Sequence, residues 1–187
     1  MEKQKILFVS HCALNIASKV VMYTKADMAA EEDLRRKFMR KAIDNGIQLI
    51  QLPCPEFTLY GANRWGHVSN QFDNIFFRNH CRKILRPIID QMKEYLAHPD
   101  RFEVLGVMGI DGSPSCGVDY TCEADWYGSF EEREGLEETL STCKLVRKSG
   151  ILMQVLKEML AEENLTDVIP VTALFAPEPE KCLSLID

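Results

Sequence analysis

Residues 102–110, FEVLGVMGI, form a mostly apolar run that stops at the turn-rich segment DGSPSCG, residues 111–117. A short apolar run bounded by turn residues predicts a buried β-strand. Three other stretches predict strands in the same way: KILFVS at 5–10, IQLIQL at 47–52 and DVIPVTAL at 167–174. We therefore expect four strands, spread along the length of the chain.

The segments between these strands carry apolar residues at helical spacing. Residues 28–45 begin with acidic side chains and carry basic ones later, which is the order that the helix dipole favours. Residues 71–97 continue the helical pattern, and Pro87 is expected to kink or split that helix. A third helical pattern covers residues 137–163, with an interruption near Gly150.

Strands that alternate with helices predict a parallel sheet with helices on both of its faces. We therefore expect a Rossmann-like three-layer α/β fold with a mainly parallel sheet. The length of 187 residues suits one domain, covering residues 1–187. Residues 112–136 are expected to form an irregular insertion in that domain.

Composition narrows the class of protein. The net charge of −6 argues against a nucleic-acid-binding groove, which needs clustered lysines and arginines. No apolar run approaches the roughly 18–20 residues that span a membrane, and the N-terminus lacks the apolar core of a signal peptide. We therefore expect a cytoplasmic protein that binds neither nucleic acid nor membrane, and its oligomeric state stays open. Its 7 cysteines, an odd count, predict reduced thiols rather than a disulfide framework.

A cysteine follows each of the first three predicted strands. These are Cys12 in FVSHCALN, Cys54 in QLPCPEF and Cys116 in GSPSCGV. Because the carboxyl ends of parallel strands lie along one edge of the sheet, where ligands bind, the three thiols are expected to converge. Gly117 permits either a close backbone approach or a positive φ beside Cys116, and nearby amides are potential donors to a sulfide or an anion.

Three thiolates in this arrangement suggest an iron–sulfur cluster. Structural zinc usually takes four ligands supplied as close pairs such as C-x2-C, and this chain has no such pair. A four-iron cluster on three cysteines would leave one iron open, which makes that iron a Lewis acid. Cys122 and His11 are candidates for a fourth ligand. The other cysteines are expected to be structural: Cys81, Cys143 and Cys182.

Three motifs of the chain resemble a known family. KILFVSHCALN near the start, LPCPE after the second strand and SPSCG after the third are similar to the three signatures of the thiouracil desulfidase family. The resemblance covers residues 4–130, in the same order and with similar spacing. The chain departs from the family in SHCALN and in the segment FTLYGANRWGH after CPE, which indicates a divergent member.

The resemblance implies a cofactor and an activity. Cys12, Cys54 and Cys116 would ligate a 4Fe-4S cluster with one open iron, which binds the sulfur of a thiocarbonyl substrate such as 2-thiouracil. Water would replace that sulfur, which leaves as sulfide. Glu56 of CPE would be the acid/base residue, assisted by Ser113 or Ser115 of SPSCG.

The segment after CPE offers a set of side chains for a planar heterocyclic substrate. Arg64, Trp65 and His67 provide a cation, a stacking surface and a titratable donor. Two other functions stay open at this point. One is a non-catalytic iron–sulfur carrier or sensor, and the other is a zinc- or thiol-dependent hydrolase on the same fold.

Overall fold

A computed structural model describes residues 2–21 and 25–187. The strands in these ranges are β1 (Gln4–Val9), β2 (Gln48–Gln51), β3 (Phe102–Ile110), β4 (Thr121–Glu123), β5 (Lys144–Val146) and β6 (Val171–Leu174). The α-helices are α1 (His11–Leu14), α2 (Lys25–Asp44), α3 (Pro55–Tyr60), α4 (Ser69–Phe72), α5 (Ile75–Leu96), α6 (Leu136–Ser141), α7 (Ile151–Glu162) and α8 (Glu180–Leu183).

Four of the strands form one parallel sheet in the order β2-β1-β3-β6. Side chains alternate along β1, so that Ile6 and Phe8 enter one buried cluster while Leu7 and Val9 enter the other. A strand that is buried on both faces requires helices on both faces. The predicted Rossmann-like three-layer α/β fold is confirmed.

Each face of the sheet has its own apolar core. The first contains residues of α5 and α7, among them Phe77, Leu85 and Leu156. The second contains residues of α2 and α8, among them Phe38 and Cys182. Within residues 2–21 and 25–187, no helix combines the length and the apolar character needed to cross a membrane.

The predicted helix over residues 71–97 is broken at its start rather than at Pro87. α4 ends at Phe72, and α5 begins after Asn74, whose side chain accepts hydrogen bonds from the amides of Phe76 and Phe77 at 3.1 and 3.0 Å. α5 then continues through Pro87 to Leu96, so the expected split at that proline is wrong. Because Pro87 is exposed, water can solvate the carbonyl that the missing amide leaves free.

The helical pattern predicted over residues 137–163 contains a strand as well as the interruption near Gly150. β5 separates α6 from α7, and it pairs antiparallel with β4, which lies in the segment predicted to be irregular. In this ribbon Cys122 lies opposite Leu145. β4 and β5 have three residues each and are too short to show a period of two in the sequence. For this reason neither strand was predicted.

The sheet order determines where a ligand can bind. The chain passes from β1 to β2 on one side, then crosses back to β3 on the other side of β1. In such sheets the crevice opens beyond the carboxyl ends of the strands where the order reverses. That place is the edge where β1 and β3 end.

Candidate functional site

The three predicted thiols lie at the carboxyl ends of three neighbouring strands. Cys12 is in α1, directly after β1, and Cys54 caps the N-terminus of α3, after β2. Cys116 is in the loop after β3. A hydrogen bond from Ser115 to Glu56 joins the segments of Cys116 and Cys54, and the electrostatic influence of Cys54 raises the pKa of both Cys12 and Cys116.

Burial is the main cause of the raised pKa values of these three thiols. Desolvation, together with the charge of Cys54, raises the pKa of Cys12 to about 11. Burial also raises the pKa of Cys54 and of Cys116. Three neutral thiols in a desolvated site need a strong cationic centre to become thiolates, because ligation by a metal displaces the thiol protons. At neutral pH the three thiols are therefore protonated unless such a centre binds them.

The loop of Cys116 is shaped by Asp111, which follows β3 directly. Its Oδ1 accepts hydrogen bonds from the amides of Val118, Asp119 and Tyr120 at 2.8, 2.9 and 3.2 Å. One buried carboxylate thus turns the chain back over the end of β3. An acidic residue between a strand and a Gly/Ser/Pro turn is the sequence signal for this arrangement.

Gly117 is required for a close approach and not for a positive φ. A Cβ at this position would lie 2.1 Å from the carbonyl oxygen of Tyr120 and 2.9 Å from that of Ser113. The carbonyl of Gly117 accepts a hydrogen bond from the amide of Gly150 at 2.9 Å, directly before α7. The loop therefore packs between the backbone at Tyr120 and the start of α7.

Glu56 is buried beside the thiols and is held by two partners. The hydroxyl of Ser115 donates to its Oε1 at 2.6 Å, and Nε of Arg64 lies 3.4 Å from its Oε2. The side chain of Arg64 is only 3% exposed, and its Nη2 donates to the carbonyl of Ser18 at 2.6 Å. The carboxylate is thereby fixed in orientation, with one oxygen on each partner.

The two predicted serines have different positions. Ser115 contacts Glu56 and lies 3.5 Å from the sulfur of Cys116. Ser113 instead accepts a hydrogen bond from the amide of Cys116 at 3.0 Å and lies 3.4 Å from the hydroxyl of Ser115. Of the two serines, Ser115 therefore contacts both the carboxylate and a thiol, while Ser113 stabilises the turn.

The three residues predicted to bind substrate are not brought together. Arg64 points to Glu56, whereas Trp65 is 75% exposed and packs on Phe130 at a centroid distance of 5.9 Å. The ring of His67 stacks on Tyr60 at 5.1 Å. Of this set, only Arg64 lies at the thiol site.

Several buried polar atoms around the thiols have no nitrogen or oxygen partner among the described residues. They are the hydroxyls of Ser10 and Ser18 and Nε2 of His11, all close in sequence to Cys12. Burial lowers the pKa of His11, which favours the neutral ring. The hydroxyls of Ser18 and Ser10 instead hydrogen-bond the sulfurs of Cys12 and Cys116, which lowers the pKa of these two thiols against the effect of burial. Both serines therefore help to stabilise the thiolate form. Neither serine was predicted from the sequence to be a site residue.

Cys122, the other candidate ligand, lies in the β4–β5 ribbon. Its sulfur points to the carbonyl of His67 at 3.8 Å, and its pKa is raised to about 11 by burial and by the charge of Cys143. Its thiol neighbour is therefore Cys143, in the adjoining part of the ribbon.

In the described ranges, no three side chains of His, Cys, Asp or Glu are arranged to bind one metal ion. Cysteines on a four-iron cluster each hold a different iron, so they lie further apart than the ligands of a single ion. Three thiols at adjacent strand ends, with serine hydroxyls that donate to two of them, have the donor chemistry that such a cluster needs. Cys12, Cys54 and Cys116 are the residues that would hold it.

Comparison with known proteins gives one informative match. No protein-family model matches the chain, and no solved structure matches it significantly. MJ0003, an uncharacterized protein of Methanocaldococcus jannaschii, is 32% identical over 118 residues, which are 63% of this chain and 70% of that protein. At this identity and coverage, the chain belongs to the same family as MJ0003 of Methanocaldococcus jannaschii.

Proposed function

We propose that this protein is an iron–sulfur-dependent desulfidase that removes sulfur from a small thiocarbonyl compound of the thiouracil type. The observation that carries the proposal is the position of Glu56, a buried carboxylate held beside the thiols by Ser115 and Arg64. The motifs that resemble the thiouracil desulfidase family support it, because they contain the same thiols and the same carboxylate.

The cofactor of this proposal is a 4Fe-4S cluster on Cys12, Cys54 and Cys116. When bound, it would supply an open iron, a soft Lewis acid suited to a thiocarbonyl sulfur. Reduced thiols of this kind suit the cytoplasm, where we place the protein.

The overall reaction exchanges sulfur for oxygen: a C=S group and water give a C=O group and hydrogen sulfide. Glu56 accepts a proton from the water as its oxygen bonds to the carbon. The C–S bond then breaks, and the proton returns from Glu56 to the departing sulfur. The second proton of the water passes from the new hydroxyl to that sulfur, which gives the C=O group and hydrogen sulfide. No redox change occurs, and the atoms of water are divided between the two products.

Arg64 and Ser115 position the base for this step. Ser115 donates to Oε1 of Glu56, and Nε of Arg64 lies near Oε2. These two contacts fix the orientation of the carboxylate. Ser115 also lies 3.5 Å from the sulfur of Cys116, so its hydroxyl connects the carboxylate to a proposed cluster ligand. Burial keeps bulk water from competing with these contacts.

The first experiment is anaerobic purification followed by iron and sulfide analysis and an absorption spectrum. We expect about four irons and four sulfides per chain, as a 4Fe-4S cluster contains. Cys116→Ser should lose most of the iron, while Cys143→Ser, which changes an exposed thiol, should keep it. A colourless protein that binds zinc, even after reconstitution, would favour the hydrolase instead.

The second experiment measures sulfide release from 2-thiouracil by the reconstituted protein. Glu56→Gln should retain the iron and lower the rate at least a hundredfold, the usual scale of general acid–base catalysis. A protein with a full cluster and no turnover on any thiouracil would indicate a carrier or sensor. Release that is unchanged in Glu56→Gln would overturn the role of this carboxylate.

A further inference from the structure

A cavity of about 650 Å³ lies between the segment after α3 and the segment after β4. We call it the aromatic cavity. Its defining residues are Trp65, His67, Trp126, Tyr127, Phe130 and Arg133. Its volume is in the range of pockets that bind small organic ligands.

The aromatic cavity is separate from the thiol site. None of Cys12, Cys54 and Cys116 lines it, and neither does Glu56 or Ser115. Arg64 and Trp65 are adjacent in sequence, but Arg64 points to Glu56 while Trp65 contributes to the cavity wall. The two neighbours thus serve different sites.

Aromatic rings dominate the walls and are unusually accessible. Trp65 and Tyr127 are 75% and 78% exposed, and Phe130 is 56% exposed. The ring of Trp65 is tilted by 55° against Phe130, which leaves part of each ring face uncovered. Trp126 is fixed, because its Nε1 donates to the carbonyl of Thr139 at 3.0 Å. Clustered exposed aromatic rings around a concavity are typical of a binding site.

Two polar groups at the cavity have unused hydrogen-bonding capacity. Arg133 donates from Nη1 to the carbonyl of Tyr127, and its guanidinium lies 5.4 Å from the centre of that ring. No carboxylate of residues 2–21 and 28–187 forms an ion pair with Arg133, although Glu132 and Glu134 flank it in sequence. Nδ1 of His67 is buried and has no partner among the described residues.

We propose that the aromatic cavity binds a planar aromatic or heteroaromatic anion. The ring of the ligand lies against Trp65 and Phe130, and its carboxylate pairs with the guanidinium of Arg133. An apolar ring cavity supplies the burial, and one unpaired arginine selects an anion over a neutral ring, because Arg binds carboxylates through paired N–H donors.

This inference does not depend on the desulfidase proposal, since the cavity contains no thiol ligand and no catalytic carboxylate. Binding can be measured on the iron-free protein. Failure of either proposal therefore leaves the other unaffected.

The test uses 2-naphthoate as the probe and 2-naphthylmethanol as its neutral counterpart, in isothermal titration calorimetry. Tryptophan fluorescence gives a second readout, because the chain has 2 tryptophans, Trp65 and Trp126, and both line the cavity. We expect 2-naphthoate to bind more tightly than the alcohol and to quench that fluorescence.

Two variants separate the ring contact from the charge. Arg133→Gln should weaken binding of 2-naphthoate about tenfold, which is about 1.4 kcal/mol, and change binding of the alcohol less than twofold. Trp65→Ala should weaken the binding of both probes. The matched controls are Arg147→Gln and Phe76→Ala, which alter an exposed arginine and an aromatic side chain, 83% exposed, outside the cavity.

The outcomes are distinct. No binding of either probe to the folded parent protein would overturn the proposal. Equal affinity for anion and alcohol, or an equal loss in Arg133→Gln and Arg147→Gln, would overturn the part of the proposal that concerns charge. Loss in Phe76→Ala as large as in Trp65→Ala would place the binding site elsewhere.

Discussion

Ser115 donates a 2.6 Å hydrogen bond to Oε1 of Glu56, a residue that precedes it by 59 positions. The bond joins the loop after β3 to the helix after β2, across the end of β1. It therefore connects two of the three segments that carry the thiols. If the desulfidase proposal holds, this contact links the proton-handling group to the cofactor ligands.

Ser115→Ala tests that link. Removing the hydroxyl leaves a buried carboxylate oxygen without its donor, at a cost of about 1–3 kcal/mol. We expect sulfide release to fall about tenfold to a hundredfold with an unchanged iron content. Ser113→Ala is the matched comparison, because it keeps the contact between Ser115 and Glu56. Equal effects of the two variants on kcat would contradict a special role for Ser115.

Arg64→Lys tests how Glu56 is oriented. The guanidinium contacts the carboxylate together with the carbonyls of Gly61 and Ser18, at 3.1 and 2.6 Å for the two carbonyls. A lysine ammonium cannot reproduce this planar fork of donors. We expect kcat to fall about tenfold, while KM and the iron content change little. A rise in KM at constant kcat would instead indicate that Arg64 binds the substrate directly.

Gly117→Ala tests the packing of the Cys116 loop. The new methyl group would lie 2.1 Å from the carbonyl of Tyr120, which belongs to backbone that Asp111 holds in place. We expect a destabilisation of at least about 2–3 kcal/mol, the range of overpacked buried sites, and therefore a fall in Tm by roughly 4–12 °C. Gly66→Ala is the control, because its Cβ would have no atom within 4 Å and its φ is not strained. Similar Tm values for both variants would show that the loop adjusts freely.

Cys81 makes the stability of the iron-free protein depend on alkaline pH. Burial in the core between the sheet and α5 raises the pKa of this thiol from 9.0 to about 12. Above pH 9 the unfolded chain therefore loses a proton that the folded chain retains. The stabilisation is complete below pH 9 and is lost as the pH rises through 12.

The measurement is urea unfolding of the iron-free protein at several pH values from 8 to 11. This thiol should lower the free energy of unfolding by up to about 1.4 kcal/mol per pH unit above pH 9. Cys81→Ala should reduce the slope of that decline, whatever its effect on absolute stability. Cys143→Ser, which changes an exposed thiol, is the control. Identical slopes in Cys81→Ala and the parent protein would rule out this linkage.

Much of the fold was predictable because it depends on local patterns. The strand at 102–110 was predicted to the residue, since its apolar side chains are packed on both faces. The same strand patterns predicted that Cys12, Cys54 and Cys116 lie at strand ends. Local capping was harder to see, and the break before α5 depends on Asn74, one polar residue within an apolar pattern.

Contacts between distant segments were not predictable. Trp65 and His67 are neighbours of Arg64 in sequence, yet their side chains lie in the aromatic cavity while Arg64 turns to Glu56. The β4–β5 ribbon was missed because each strand is stabilised by its partner rather than by its own pattern. Side-chain direction in such segments depends on what packs against them.

The amino-acid sequence by itself determined the α/β architecture and the placement of three cysteines after three strands, because periodicity and turn chemistry act over a few residues. The tertiary structure alone decided that Ser115, and not Ser113, meets Glu56, and that Arg64 completes that contact. The physical reason is that the order of strands in the sheet, β2-β1-β3, brings these segments together, and no local pattern encodes which side chains then face one another.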